Sequence, residues 1–207
     1  MKFYLSSYKL GDETEKLKNL IPNKKIGYIP NALDFSNADQ DRKKKHVEND
    51  VASLRELGLD VEILDLRNYF NKQNELSDKL NELGAVFISG GNVFVLRQAM
   101  KLSGFDSIIQ EFFKNKRDFL YAGYSAAGCV LSPNLKAYEI VDDATDTPYK
   151  ELSEVIWEGL GLIDFYFMPH WDSDHPESEA VDKEIEFCRK NNMPYKTIRD
   201  GEVLILE

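Results

Sequence analysis

The stretch Ala85-Val86-Phe87-Ile88 is apolar throughout and is bounded by Gly84 on one side and Ser89-Gly90-Gly91 on the other. A run this short between glycine stops reads as a strand buried on both faces, and such strands belong to parallel sheets covered by helices. The chain repeats that rhythm. Strand patterns occur at residues 2–6, 25–30, 60–66 and 119–124, and helical spacing of apolar residues occurs over 9–20, 38–57, 76–83, 93–100 and 106–114. This alternation predicts an α/β fold with a mostly parallel sheet and helices on both faces. Further on, residues 161–169 read as a strand and 176–192 as a helix. Residues 194–199 and 202–206 read as a hairpin around the turn pair Asp200-Gly201. Residues 132–148 are irregular and rich in Asp and Thr, as expected of a hairpin or loop beside a site. With 207 residues, 43% of them hydrophobic, the chain can bury one full core, and a single domain over 1–207 is expected.

A formal net charge of −10 argues against a nucleic-acid surface, which needs clustered Lys and Arg. The basic run Arg42-Lys43-Lys44-Lys45-His46 lies in an amphipathic segment with Val47, Val51 and Leu54 on its other side, and reads as a solvated helix face. No apolar run approaches membrane-spanning length, and Met1–Ser7 is too short for a secretion signal, so a cytoplasmic protein without a membrane partner is expected. Cys129 and Cys188 lack metal-like spacing and are read as free thiols.

Chemistry centres on Leu120-Tyr121-Ala122-Gly123-Tyr124-Ser125-Ala126-Ala127-Gly128-Cys129-Val130-Leu131, where a strand pattern runs into small residues and then a short helical pattern. A sharp strand-to-helix turn of this kind holds a serine hydroxyl out over the sheet edge and needs tiny neighbours. Ser125 is therefore a candidate nucleophile, and the alternative is a serine that caps an ordinary β–α turn. The Ala126 N–H, at the helix N-terminus, suits a developing oxyanion. Gly90-Gly91-Asn92 follows a strand and presents backbone N–H groups at the same edge. Neither G-x-G-x-x-G nor a P-loop occurs, so no nucleotide cofactor is expected.

A base for serine needs a pKa near neutrality. His46 falls on the basic helix face and His175 near a helix start, which leaves His170, at a strand end after Pro169. Clustering of His170, Asp172, Asp174 and His175 also allows a metal reading. Asp174 with Glu177 fits a capping box instead, with Pro176 in the first turn, and no metal is expected.

Together, Gly90-Gly91-Asn92-Val93-Phe94, Gly123-Tyr124-Ser125-Ala126, Met168-Pro169-His170-Trp171 and Ile198-Arg199-Asp200-Gly201-Glu202 make this chain resemble the peptidase E family of serine dipeptidases. Cyanophycinase is a more distant relative, and the sheet is of the class I glutamine amidotransferase-like, flavodoxin-like kind. The resemblance implies Ser125 as nucleophile, His170 as base and Asp200 as the acid that orients it. It also implies Gly91 and Ala126 as oxyanion donors, no cofactor, and a short peptide as substrate.

This chain departs from the family in three places. Ala127 stands where the family elbow has glycine, and the turn is expected to survive. Asp200 is shorter than the glutamate of aspartyl dipeptidases, so Asp172 or Glu177 are alternatives for its role. The helix after His170 begins Pro176-Glu177-Ser178-Glu179-Ala180-Val181-Asp182, without the arginine that holds an acidic substrate side chain in those enzymes. Strict N-terminal Asp specificity is therefore not expected, and neutral or basic first residues are favoured. The acids after His170, or Asp142 and Asp143, suit a substrate ammonium, with Asn92 as a further substrate contact. The rival expectation is a non-catalytic peptide- or small-molecule-binding protein on the same fold. An amidotransferase-like reaction would need a cysteine at the elbow.

Overall fold

Five parallel strands and one antiparallel edge strand form the central sheet of the computed structural model, which describes residues 1–207. The strands are β1 (Lys2–Ser6), β2 (Lys25–Ile29), β3 (Asp60–Ile63), β4 (Ala85–Ile88), β5 (Leu120–Tyr124) and, at the edge, β8 (Val203–Leu206), in the order β3-β2-β4-β5-β1-β8. β8 alone runs antiparallel, against β1.

The side-chain period of two divides each central strand between two cores. Val86 and Ile88 of β4, with Tyr121 of β5, join the larger apolar cluster; Ala85, Phe87, Leu120, Ala122 and Tyr124 join the smaller one. Helix α1 (Thr14–Leu20) and helix α2 (Gln40–Glu56) cover the smaller cluster through Leu17, Val51 and Leu54. Helices α3 (Gln73–Glu82), α4 (Val93–Ser103) and α5 (Phe105–Lys114) cover the other face. Phe87 and Ile88 are fully buried, and full burial contributes about 1.5–3 kcal/mol for such side chains, which holds this strand in its register.

Several boundaries differ from the sequence reading for local reasons. Helix α1 starts at Thr14 rather than residue 9, because Lys9 adopts φ +51 and Tyr8–Gly11 closes a turn through the Gly11 N–H to Tyr8 oxygen bond. β3 ends at Ile63, and a 3-10 turn over Leu66–Tyr69 follows, capped by the Asp65 side chain. α4 continues past Met100 to Ser103, where Gly104 at φ +75 ends it and leads into α5. Residues 132–148 form no hairpin: the segment is a loop with a 3-10 turn at Lys136–Ile140.

The C-terminal hairpin is also absent. β7 (Tyr195–Thr197) pairs in parallel with β6 (Tyr166–Met168) in a separate two-stranded sheet, with helix α7 (Ser178–Lys190) between them in sequence. β8 instead completes the main sheet. The tight turn at Asp200-Gly201 does form, closed by the Glu202 N–H to Arg199 oxygen bond at 3.0 Å, but it links two sheets. Each flanking strand has a partner other than its neighbour, which is why the turn does not make a hairpin.

Candidate active site

The registers Ser6↔Tyr124 and Ile88↔Gly123 put the C-terminal ends of β1, β4 and β5 side by side, where open α/β sheets bind ligands. Ser125 follows β5 directly and precedes the four-residue helix α6 (Ala126–Cys129). Its backbone sits at φ +50, ψ −111, a strained conformation for a non-glycine residue. Its side chain does not cap α6, so the hydroxyl is free for other work. Ala127 is accommodated because Gly123 lacks a side chain: a Cβ there would lie 2.5 Å from the Ala127 methyl. The elbow thus tolerates alanine at the family's glycine position.

Gly91 has φ +136, and a Cβ on it would lie 2.3 Å from the Ala32 carbonyl oxygen. Only glycine fits that turn, which the Asn92 N–H to Ala32 oxygen bond anchors. Neither the Gly91 nor the Ala126 N–H is spent on a backbone carbonyl. Both residues line a small chamber with Ser125 and His170. Unspent N–H groups around a strained serine are the arrangement that stabilises an oxyanion.

His170 comes not from the main sheet but from the end of β6, and is only 2% exposed. Its Nδ1 lies 2.7 Å from Asp200 Oδ1. With Nδ1–H given to a carboxylate, Nε2 is the basic nitrogen of the ring. Ser7, next to the end of β1, ties the pair together: its hydroxyl accepts the His170 N–H at 2.7 Å and donates to Asp200 Oδ1 at 2.7 Å. Ser173 Oγ accepts the Asp200 N–H at 2.8 Å. The shorter aspartate therefore does reach the imidazole. Asp172 is turned away onto Arg199, and Glu177 lies beside His175 instead. Burial, and then the neighbouring His175, push the His170 pKa below 6.5, against the opposing pull of Asp200.

The capping box does not form. The Glu177 N–H is accepted by His175 Nδ1 at 3.3 Å, and α7 begins at Ser178 without a side-chain cap. His175 stacks on His170 at 3.7 Å between ring centroids and 13° between planes. His170, His175 and Glu177 bring ligand atoms within 4.8 Å of one another. Stacking sets the two imidazole lone pairs side by side in parallel planes, whereas a shared zinc needs them to converge.

A cleft of about 430 Å³ contains Ser125 and His170, and α2 contributes Arg42, Lys43 and His46 to its wall. The solvated face expected of this basic run holds for Arg42, Lys44 and Lys45, which are exposed. His46 Nε2, however, lies 2.5 Å from the Tyr124 hydroxyl, and Lys43 pairs with Asp34. A helix pattern identifies an apolar face but not what its polar face looks onto, so the sequence carried no signal for this wall. Asn92 caps α4, accepting from the Phe94 and Val95 N–H groups while its amide donates to the Asp143 carbonyl, so its side chain is spent on structure. Asp143 is exposed and bonded to Thr145. Asp142 does reach the chamber, where it is joined by Glu177 and Glu184, and its Oδ2 accepts the Val93 N–H at 2.8 Å. Burial pushes Asp142 up to about 7 and Glu184 well above the usual carboxylate range. Cys129 is buried, and burial raises its thiol pKa well above 9, which removes it as a thiolate nucleophile at neutral pH.

An elbow serine at the carboxyl edge of a mostly parallel sheet, with a carboxylate-bonded histidine in the same cleft, defines the serine hydrolase class. The chain belongs to peptidase family S51, whose family model matches residues 6–207, and it is a serine peptidase of the dipeptidase-like, peptidase E kind. It is 30% identical over 149 residues to an uncharacterized peptidase of Listeria monocytogenes, covering 72% of this chain and 68% of that protein. It is 29% identical over 189 residues to peptidase E of Streptomyces coelicolor, covering 88% of this chain and 68% of that one. A solved structure of a peptidase E candidate from Listeria monocytogenes superposes with a TM-score of 0.73 at 23% identity, over 100% of this chain and 98% of that one. No helix is long and apolar enough to cross a membrane.

Proposed function

We propose that this protein is a serine exopeptidase for short peptides with a free amino end, using Ser125, His170 and Asp200. The observation that carries the reading is the 2.7 Å bond from His170 Nδ1 to Asp200 beside a strained serine that caps nothing. His170 Nε2 takes the Ser125 proton as Oγ adds to the scissile carbonyl, and the Gly91 and Ala126 N–H groups receive the oxyanion. The imidazolium then gives its proton to the leaving amine as the C–N bond breaks. Water, deprotonated by the same imidazole, releases the acyl group and restores Ser125.

The chamber supports an ammonium receptor. Beside the oxyanion donors, Asp142, Glu177 and Glu184 crowd carboxyls along its wall without a cation. An incoming α-ammonium would relieve the cost of charging them. The same acids, together with the lack of an arginine from Pro176 to Asp182, support neutral or basic first residues over strict N-terminal Asp. A library of X-Ala dipeptides tests this with wild type and Ser125→Ala. Hydrolysis that needs Ser125 and does not favour Asp-Ala is expected. Turnover by Ser125→Ala, or a marked preference for Asp-Ala, contradicts the reading.

A further inference from the structure

The surroundings of Ser125 carry opposite charges on different walls. The chamber holds the carboxyls just described, of which Glu177 also borders the cleft over Ser125, whereas α2 brings Arg42, Lys43 and His46 to that cleft. Two of these three cationic or basic groups are already occupied. Lys43 is ion-paired with Asp34, whose side chain is only 4% exposed. His46 is engaged by the Tyr124 hydroxyl and by Lys9 Nζ at 2.9 Å.

Arg42 differs. It donates its backbone N–H to Asp39 Oδ1 at 3.0 Å, but its guanidinium takes part in no ion pair or hydrogen bond. Asp39, the carboxylate on that wall, is held by the N–H groups of Asp41 and Arg42 as the cap of α2, so it is directed to the helix end. What remains is a free planar fork of donors in the cleft that contains the nucleophile, and a carboxylate is the group that such a fork binds through two parallel bonds. The protein's net charge of −10 makes this local cation more telling, because the overall field repels an anionic substrate end.

We infer that Arg42 receives the C-terminal carboxylate of a dipeptide whose scissile carbonyl rests against Ser125, an inference that rests on the peptidase reading above. A dipeptide zwitterion has one positive and one negative end, and the site has an acidic chamber and a free guanidinium to match them. Amidated dipeptides lose the negative end, and longer peptides move it away from the scissile bond. Arg42 is thus a specificity determinant for free, very short peptides.

The test compares kcat/KM for Ala-Ala, Ala-Ala amide and Ala-Asp amide in wild type, Arg42→Ala and Arg42→Lys. Arg42 is exposed and packs no core, so the variants are expected to keep the wild-type melting temperature. Wild type should favour Ala-Ala over its amide by about tenfold, the scale of one charge-assisted contact at a partly solvated site. Arg42→Ala should erase that ratio through KM on Ala-Ala, leaving the amide's kcat/KM unchanged, and Arg42→Lys should retain part of it. An acid-to-amide ratio that Arg42→Ala leaves intact overturns the inference alone. So does a selective loss on Ala-Asp amide, which would assign the guanidinium to an acidic side chain. A wild type that cleaves none of the three overturns the peptidase reading, and the inference falls with it.

Discussion

Replacing Ser7 by alanine removes one hydroxyl and the two hydrogen bonds that lock His170 to Asp200. Ser7 is fully buried, and its oxygen is the acceptor for the His170 backbone N–H. Alanine leaves that N–H without a partner in a place water does not enter, a cost of about 1–3 kcal/mol. The Asp200 end costs less, since that side chain is 27% exposed and water can replace the lost donor. His170 is held at φ +61, so an unsatisfied N–H gives its backbone reason to relax and carries the imidazole with it. If the penalty is expressed in the transition state, hydrolysis slows by about 5-fold to 150-fold, at about 1.4 kcal/mol per factor of ten. Steady-state kinetics on a good dipeptide should place the loss in kcat with KM little changed, because Ser7 touches the base and not the peptide. A thermal melt run alongside reports the share expressed as stability. A kcat within twofold of wild type, with only a lowered melting temperature, would refute the claim that Ser7 positions the histidine.

Three further outcomes follow from the same geometry. Because burial and His175 disfavour the protonated form of His170, the rising limb of kcat/KM against pH should have its midpoint below 6.5; a midpoint above 7 would contradict this. Asp142 is raised in the folded state, to about 7, so the folded protein holds a proton there that the unfolded chain has released, and the stability contributed is lost as pH rises from about 4 to about 7. Asp142→Asn, which can still accept the Val93 N–H, should raise the melting temperature at pH 8 and lose that advantage as the pH falls toward 4; an equal effect at both pH values speaks against a buried, titrating carboxyl. Gly91→Ala should abolish measurable turnover and lower stability, because its Cβ meets the Ala32 carbonyl and its φ is outside the range alanine adopts without strain; near-normal activity would argue against Gly91 as an oxyanion donor.

The central sheet was legible because strands buried on both faces leave continuous apolar runs, as at 85–88 and 119–124, and glycines mark where they stop. The serine elbow and the glycine turn were legible for a related reason: backbones that approach within 2.5 Å of where a Cβ would be must be built from the smallest residues. The partners of short, half-buried strands were not legible. Residues 195–197 and 203–206 carry too little side-chain pattern to tell a hairpin from two strands in different sheets, and they pair with β6 and β1. Polar side chains with two available tasks were not legible either. Asn92 and Asp143 had the chemistry of substrate contacts, yet helix N–H groups and a threonine took them first. His46 and Lys43, on a basic helix face that is otherwise exposed, were not legible as partners of Tyr124 and Asp34, because nothing local reports that a cleft lies opposite.

Intact-mass labelling with a fluorophosphonate tests the central claim most directly, since that reagent attaches to a serine only where a base has activated it. Wild type should gain one adduct, Ser125→Ala none, and His170→Ala should label far more slowly while keeping the wild-type circular dichroism spectrum. Failure of the wild type to label, or labelling that persists in Ser125→Ala, would contradict the account of Ser125 as a nucleophile activated by His170 and Asp200.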